Sequence, residues 1–526
     1  MSLWEKLFGK KNENQNIKLQ ETKVDKNLDK NLESIKNMLV DCDDIVYREF
    51  KIGTDESYRA TLIYIDGMAD KDLLNDYVLK NSMVSSRITP PNEKFIKKEL
   101  SNILKDKTLT ITEMKEVETI EQGVLDILSG DTVLILDNYE KLIIIASKGW
   151  DGRSISQPET ESVIRGPREG FVESLRVNTA LVRRRIRDHK LKLKGYKIGK
   201  RSQSDVCVMY IEDIVNQDAL KELNKRLMAI DIDAIIDSGY IEQLIEDNWR
   251  SPFPQIQITE RPDVASAALY EGKITIIVDN SPFVLIVPST LNAMMQSAED
   301  YYERWGIATF IRILRYIGAV ISLYAPALYI AITSFHPQML PSKLSMSIAA
   351  NRAGVPFPSV IEAIIMEITL EILREAGIRL PGPIGATIGI VGGLVVGQAA
   401  VEAGIVGPIM VIIVAITAIS SFAIPSYSMA IGLRLLRFLL IIISAILGLY
   451  GIMLGTIVIL IHLCSLKSFG VPYLSPYTAY ITQHTDLKDT FFKAPLPSMH
   501  NRDTTANKNQ SKRMQDLRDE DFNKEE

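Results

Sequence analysis

Among the polar residues of the mostly apolar stretch from Pro356 to Gly404, four carboxylates and one amide, Glu362, Glu367, Glu371, Glu402 and Gln398, could do chemistry. Ionisable groups in such surroundings are costly, and they face an interior, a partner charge or a water path. The chemistry open to this set is the handling of cations. Carboxylates contributed by several copies of one helix line a cation pore, whereas carboxylates on a helix lying in the membrane surface simply face water. Both readings remain open at this level.

Two unlike helices must position these groups. Over residues 359–376, a turn of about 100° per residue places Glu367, Glu371, Arg374 and Glu375 on one side. Ile361, Ile365, Met366, Ile368, Leu370, Ile372 and Leu373 fall on the other. Ile361 and Ile365 join Glu362, Glu367 and Glu371 as candidate pore or gating residues. Glu362 sits in the apolar arc and reads as paired with an arginine or turned toward a neighbouring subunit. The second helix, 384–401, is uncharged, with Gly385, Gly389, Gly393 and Gly397 at every fourth position. Such a stripe admits close approach of another helix in lipid. Gln398 and Glu402 end it as intramembrane polar groups.

The 526-residue chain carries a net charge of −5, which gives no support to nucleic-acid binding. Cys42, Cys207 and Cys464 lie far apart, so neither a disulfide framework nor a metal spacing follows. The five histidines are dispersed, and no Ser–His–Asp or Cys–His set stands out. No enzyme, metal or cofactor is expected. The amino-terminal residues lack the apolar run of a secretory signal, so the soluble part is expected in the cytosol.

The polar half divides further. Residues 1–31 read as a disordered arm, rich in Lys, Asn, Gln and Asp. Leu62–Leu74 then resembles Val208–Leu220, and Leu128–Asn138 resembles the stretch ending at Asn280. In the second pair an apolar run, an Asp-Asn turn and another apolar run indicate a hairpin. Two related α/β subdomains are therefore expected, over 32–150 and 202–290. Residues 151–201, dense in arginine and lysine, read as a basic linker helix; GPREG lacks the Walker spacing. Asp237, Glu242, Glu246 and Asp247 read as a solvated helix face.

Residues 291–315 form a charged, aromatic collar of the kind found at a membrane–water boundary. The membrane domain is expected over 316–466 as an all-α, multi-pass unit. Spans are drawn at 316–333, 384–401, 405–424 and 433–463, with Arg434 and Arg437 holding the start of the last at the interface. If 359–376 also crosses, the termini lie on opposite sides; if it does not, they share one. Residues 467–526 form a polar tail.

Several long motifs in this chain resemble one family. SFHPQMLP, GVPFP, EILREAGIRLP, VGQAAVEAGIV, GPREGFVESLRVNTALVRRR and EDYYER resemble the A subunit of GerA-type spore germinant receptors, over about residues 60–477. Ala353 stands where that family has an acidic residue. The resemblance implies a multi-pass protein of the spore inner membrane that acts with a transporter-like B subunit and a lipoprotein C subunit. It also implies homo-oligomers forming a nutrient-gated channel for monovalent cations. The stage V sporulation protein AF is a relative. A non-conducting scaffold and a solute transporter are the alternative functions, although no paired inverted repeats are visible in 306–466.

Overall fold

The computed structural model describes residues 22–52, 58–75, 114–149, 157–379, 393, 395–477, 486–502 and 512–514. Helix α1 (Leu28–Met38) is capped by the Asn27 side chain, which accepts from the Asp29 and Lys30 N–H groups. The first sheet follows: β1 (Ile45–Ile52), β2 (Tyr58–Ile65), β3 (Met114–Val117), β4 (Thr132–Leu136) and β5 (Leu142–Ile145), with α2 (Ile120–Leu128) between β3 and β4. Next come α3 (Leu175–Arg183), β6 (Leu191–Ile198), β7 (Ser204–Ile211), α4 (Gln217–Ala229) and α5 (Ser238–Ile245). The second sheet is completed by β8 (Gln257–Thr259), α6 (Pro262–Tyr270), β9 (Ile274–Val278) and β10 (Val284–Val287).

The strand orders are β1-β2-β4-β5-β3 and β6-β7-β9-β10-β8, one order repeated. Asn138 and Asn280, at the two Asp-Asn turns, have φ of 62° and 64°. Asparagine is among the few side chains that tolerate this left-handed conformation. The β4 and β9 runs, TVLIL and ITIIV, are buried along their whole length, as expected for strands covered on both faces.

Two boundaries move relative to the sequence reading. The arm is shorter than 1–31, because Val24 and Leu28 are buried in the first core and Lys23 bridges to Thr119. Residues 151–201 are not a linker helix: among the described residues only Leu175–Arg183 is helical there, and Leu191–Ile198 is the edge strand β6. The basic residues mask an alternation in which Leu191 and Leu193 turn into the core, while Lys190 pairs with Asp213 at 2.7 Å. The first subdomain closes that edge. Leu193 and Asp41 to Asp43 exchange backbone hydrogen bonds, and Arg183 reaches Asp44 through two bonds of 2.8 and 2.9 Å. An open strand edge is thereby covered.

Burial shifts two carboxylates here furthest upward. Burial pushes Glu161 up to about 6 against the opposing pull of Thr259 and the Glu260 N–H. Burial, then the nearby Glu246 and Asp237, pushes Glu242 up to about 7, so it is not the freely solvated group the sequence suggests. In each case the folded state holds its proton at a pH where the unfolded chain, near 4.5, has lost it. These groups therefore stabilise the fold in acid, and the contribution is lost as pH rises through the window from about 4.5 to 7. The thermal midpoint of the amino-terminal domain is expected to rise on going from pH 8 to pH 5, and Glu242→Gln should flatten the upper part of that profile.

The remainder is a helical bundle. Its members are α7 (Trp305–Phe335), α8 (Ser342–Arg352), α9 (Ser359–Arg379), α10 (Pro408–Phe422) and α11 (Tyr427–Ser465); residues 395–402 are also helical. Among the described residues, α7 and α11 are long and apolar enough to cross a membrane, and α10 is shorter.

Helix α11 corrects the last drawn span. Residues 433–463 do not form one straight helix. Gly448 has φ 59° and ψ −140°, outside helical values, and the chain turns back there. A Cβ on Gly455 would lie 2.6 Å from Leu440 Cδ2, whereas a straight helix would separate these residues by about 22 Å. Gly451 and Gly455 pack on Ile443 and Leu440 of the same hairpin. Its two legs, 427–447 and 449–465, are each about 25–30 Å long. Phe335 closes over the turn, 3.0 Å from where a Gly448 Cβ would stand. Gly448→Ala is expected to cost about 1–3 kcal/mol in backbone strain alone, read as a lower thermal midpoint in detergent.

The contacts fix the path through the bundle. Gly432 and His462, on the two legs of α11, both meet residues 251–253 of the second subdomain. Phe335 and Ser334 mark the far end, where Ser334 meets Ser359 at 2.9 Å. Helix α9 then returns, and Arg374 reaches Ser421 at the end of α10. The carboxyl-terminal residues come back to the root of α7, where Asp489 meets Arg312 at 2.6 Å. The described termini share one end of the bundle.

Candidate functional site

The site is the interior seam between α9 and α11. Glu367 and Arg437 pair at 2.7 Å with both side chains almost wholly buried. Arg437 Nε also donates to the Ser322 carbonyl of α7 at 2.5 Å. One turn further along, Glu371 accepts from Arg434 at 2.9 Å and from Arg374 at 3.2 Å. At the far end, Glu362 is fully buried; its Oε2 accepts from the Gly407 N–H at 2.8 Å, and Arg352 Nε stands 3.5 Å from Oε1. The sequence produces this because Arg434 and Arg437 are three residues apart and Glu367 and Glu371 four apart, so each pair lies along one helix face.

Arg434 and Arg437 therefore do not sit at an interface holding the start of a span, as the sequence suggested. They are the counter-charges of the acidic set. Arg312 and Arg315 of the collar are likewise turned inward, to Asp300, at 2.9 and 2.7 Å. A guanidinium offers several donors in a fixed fork, so each can bind a carboxylate and a carbonyl together.

The carboxylates turn inward, and the isoleucines do not. Ala363 and Met366 are buried against α7 and α10, while Ile361, Ile365, Ile368 and Ile372 are 43%, 36%, 47% and 63% exposed. Spaced at i, i+4, i+7 and i+11, they form one apolar row on the outside of the chain. Glu362, Glu367 and Glu371 of α9 thus face the rest of the chain, Glu375 and Arg379 stay exposed, and the row from Ile361 to Ile372 faces outward.

Gly385 and Gly389 lie outside the described residues. A Cβ on Gly397 would meet Val411 of α10 at 3.3 Å, and one on Gly393 would meet nothing within 4 Å. Gln398 donates to Glu402 at 2.9 Å on an exposed face. Arg352, Ser322 and the Gly407 N–H were not identified from sequence. The arginine–glutamate matching on α9 and α11 was the available signal. Among the described residues, no group of His, Cys, Asp or Glu is arranged to hold a metal.

Comparison with known proteins agrees over nearly the whole chain. The family model described as Bacillus/Clostridium GerA spore germination protein matches residues 33–505. An uncharacterized membrane protein of Bacillus subtilis, YfkQ, is 43% identical over 509 residues, covering 96% of each chain. Spore germination protein KA of the same organism is 44% identical, covering 90% of this chain and 85% of that one. The crystal structure of the N-terminal domain of the A subunit of the Bacillus megaterium spore germinant receptor GerK3 is 35% identical, covers 52% of this chain and 98% of that one, and superposes with a TM-score of 0.41. The chain belongs to the GerA family of spore germination proteins.

Proposed function

We propose that the protein is the A-type subunit of a nutrient germinant receptor in the spore inner membrane, and that several copies enclose a cation path. The observation that carries this reading is the isoleucine row of α9, exposed on a helix whose position is fixed by buried ion pairs. A row of Ile361 and Ile365 from each copy around an axis makes an apolar constriction, which gates by excluding water. The Glu367–Arg437 and Glu371–Arg434 pairs set how far α9 stands from that axis.

The antiparallel helical path supports a multi-pass arrangement, because its helical legs approach the thickness of a hydrocarbon core. Arg304, just before α7, and Arg379, closing α9, lie toward the soluble-domain end, which by the positive-inside rule favours a cytoplasmic side for that end. The relatives named for spore germination support a receptor role. Its partners are a transporter-like B subunit and a lipoprotein C subunit, with lipid and monovalent cations around and within the assembly.

The test is K⁺ efflux from liposomes carrying the complete receptor. Ile361→Asn/Ile365→Asn should hydrate the constriction and raise efflux without germinant by roughly an order of magnitude. An assembled variant receptor that leaks no more than the parent, and releases no ions when activated, would leave the subunit a scaffold.

A further inference from the structure

The charges inside the helical bundle do not balance. Over residues 305–466 the acidic residues are Glu362, Glu367, Glu371, Glu375 and Glu402, and each has a fixed place. Glu362 stands beside Arg352, Glu367 beside Arg437 and Glu375 beside Arg379, while Glu402 accepts from Gln398 on an exposed face. Glu371 instead answers two guanidinium groups, Arg434 at 2.9 Å and Arg374 at 3.2 Å. One carboxylate cancels one positive charge, so this trio keeps a positive charge with no counter-ion among the described residues. The Arg434 side chain is 9% exposed, and its Nε has no hydrogen-bond partner among them. A cation left in such surroundings is costly unless an anion joins it.

The trio stands at the soluble-domain end of the bundle, where its apolar part begins. Arg374 reaches the Ser421 hydroxyl at 3.4 Å, and its guanidinium lies over the Phe422 ring, 5.0 Å from the centroid. A Cβ on Gly318 would meet the Ser420 carbonyl at 3.2 Å, so the end of α10 stands about one turn past Arg315 of the collar. Below Phe422, Ile419, Ile416 and Ile412 form one exposed apolar row down α10. Guanidinium groups at the rim of an exposed apolar face match the two halves of a lipid, with the phosphate at the rim and the acyl chains along the face. We propose that Arg374 and Arg434 bind the phosphate of an anionic lipid in the leaflet on the soluble-domain side, its acyl chains lying along Ile412, Ile416 and Ile419.

This inference rests on the bundle lying in a membrane and is independent of ion conduction. With the phosphate in place, two anions meet two guanidinium groups, and a guanidinium binds phosphate oxygens through parallel N–H groups. Arg374 belongs to α9 and Arg434 to α11. A phosphate shared between them ties the two helices together beside the Glu367–Arg437 pair, so lipid composition bears on where α9 stands.

The experiment is native mass spectrometry of the full-length protein from micelles holding equal amounts of phosphatidylglycerol and phosphatidylcholine. Phosphatidylglycerol should be retained in preference. Arg374→Gln leaves Glu371 to Arg434 alone; with its fold checked by thermal unfolding, it should lower that preference roughly fivefold, and Arg374→Lys should keep most of it. Glu371→Gln frees the second guanidinium and should raise the preference. A purely structural Arg374–Glu371 contact would not move the two variants in opposite directions. Excess inorganic phosphate should leave the lipid bound, because it cannot replace the acyl contacts; full displacement would assign the site to a soluble anion and overturn the lipid. Equal retention of both lipids by the parent, or an unchanged preference in folded Arg374→Gln, would also overturn the proposal and leave the charge to a carboxylate of a neighbouring subunit. A chain that stays folded and soluble without detergent or lipid would instead contradict the membrane placement, and the proposal with it.

Discussion

Replacing Arg437 with alanine is expected to destabilise the helical bundle by about 3–5 kcal/mol, the range for removing one partner of a buried pair. The loss exceeds that of a surface ion pair because Glu367 remains behind, buried with its charge unmatched. The Ser322 carbonyl loses its donor as well. Glu367→Leu/Arg437→Met removes both charges and should recover much of the stability, since an apolar replacement of a buried pair is often neutral. The two readouts should then part: the double variant folds, but its α9 is no longer held to α11 by charge, and germinant-independent ion efflux should rise. Thermal unfolding in detergent and liposome efflux measure the two effects separately.

The second large effect is expected in the soluble half. Arg183→Ala leaves Asp44 buried, at 1% side-chain exposure, without its guanidinium. The same change strips a donor from the Leu191 carbonyl. The predicted cost is again about 3–5 kcal/mol. Its consequence is specific, because Asp44 precedes β1 whereas Arg183 closes α3, which packs on the second sheet. The two subdomains should lose their common unfolding transition, and calorimetry should resolve two transitions where the parent domain shows one. Lysine at position 183 should recover only part of the loss, because it cannot make both carboxylate bonds and the carbonyl bond in one plane.

Much of the soluble fold was legible because its strands announce themselves chemically. Two fully apolar runs flank an Asp-Asn turn at Asn138 and again at Asn280, and each turn takes the left-handed conformation that asparagine tolerates. Strand β6 was hidden by composition. LKLKGYKI reads as a basic surface segment until its alternate residues are counted. The α11 hairpin was hidden for the opposite reason: the chain reverses in the middle of an apolar run with no polar turn. In lipid, a sharp reversal can be made by glycine and covered by a neighbouring aromatic ring, here Gly448 under Phe335. The spacing of Gly448, Gly451 and Gly455 was the trace it left.

The acidic set illustrates a further limit of periodicity. Counting residues around α9 separates a polar from an apolar arc, but it does not say which arc faces the protomer. The answer lies in another helix, where Arg434 and Arg437 have the spacing to meet Glu371 and Glu367. A carboxylate that meets a guanidinium a few ångströms away turns inward, and the isoleucines are left outside.

Cross-linking across copies addresses the central claim most directly. With Cys464 replaced by serine, Ile365→Cys in the complete receptor should form disulfide-linked A-subunit pairs under mild oxidation in the membrane. In the reduced receptor, a thiol-reactive cation added from the water phase should label position 365 and block germinant-triggered efflux. Labelling of position 365 only by lipid-soluble reagents, with no cross-link and no block, would contradict it.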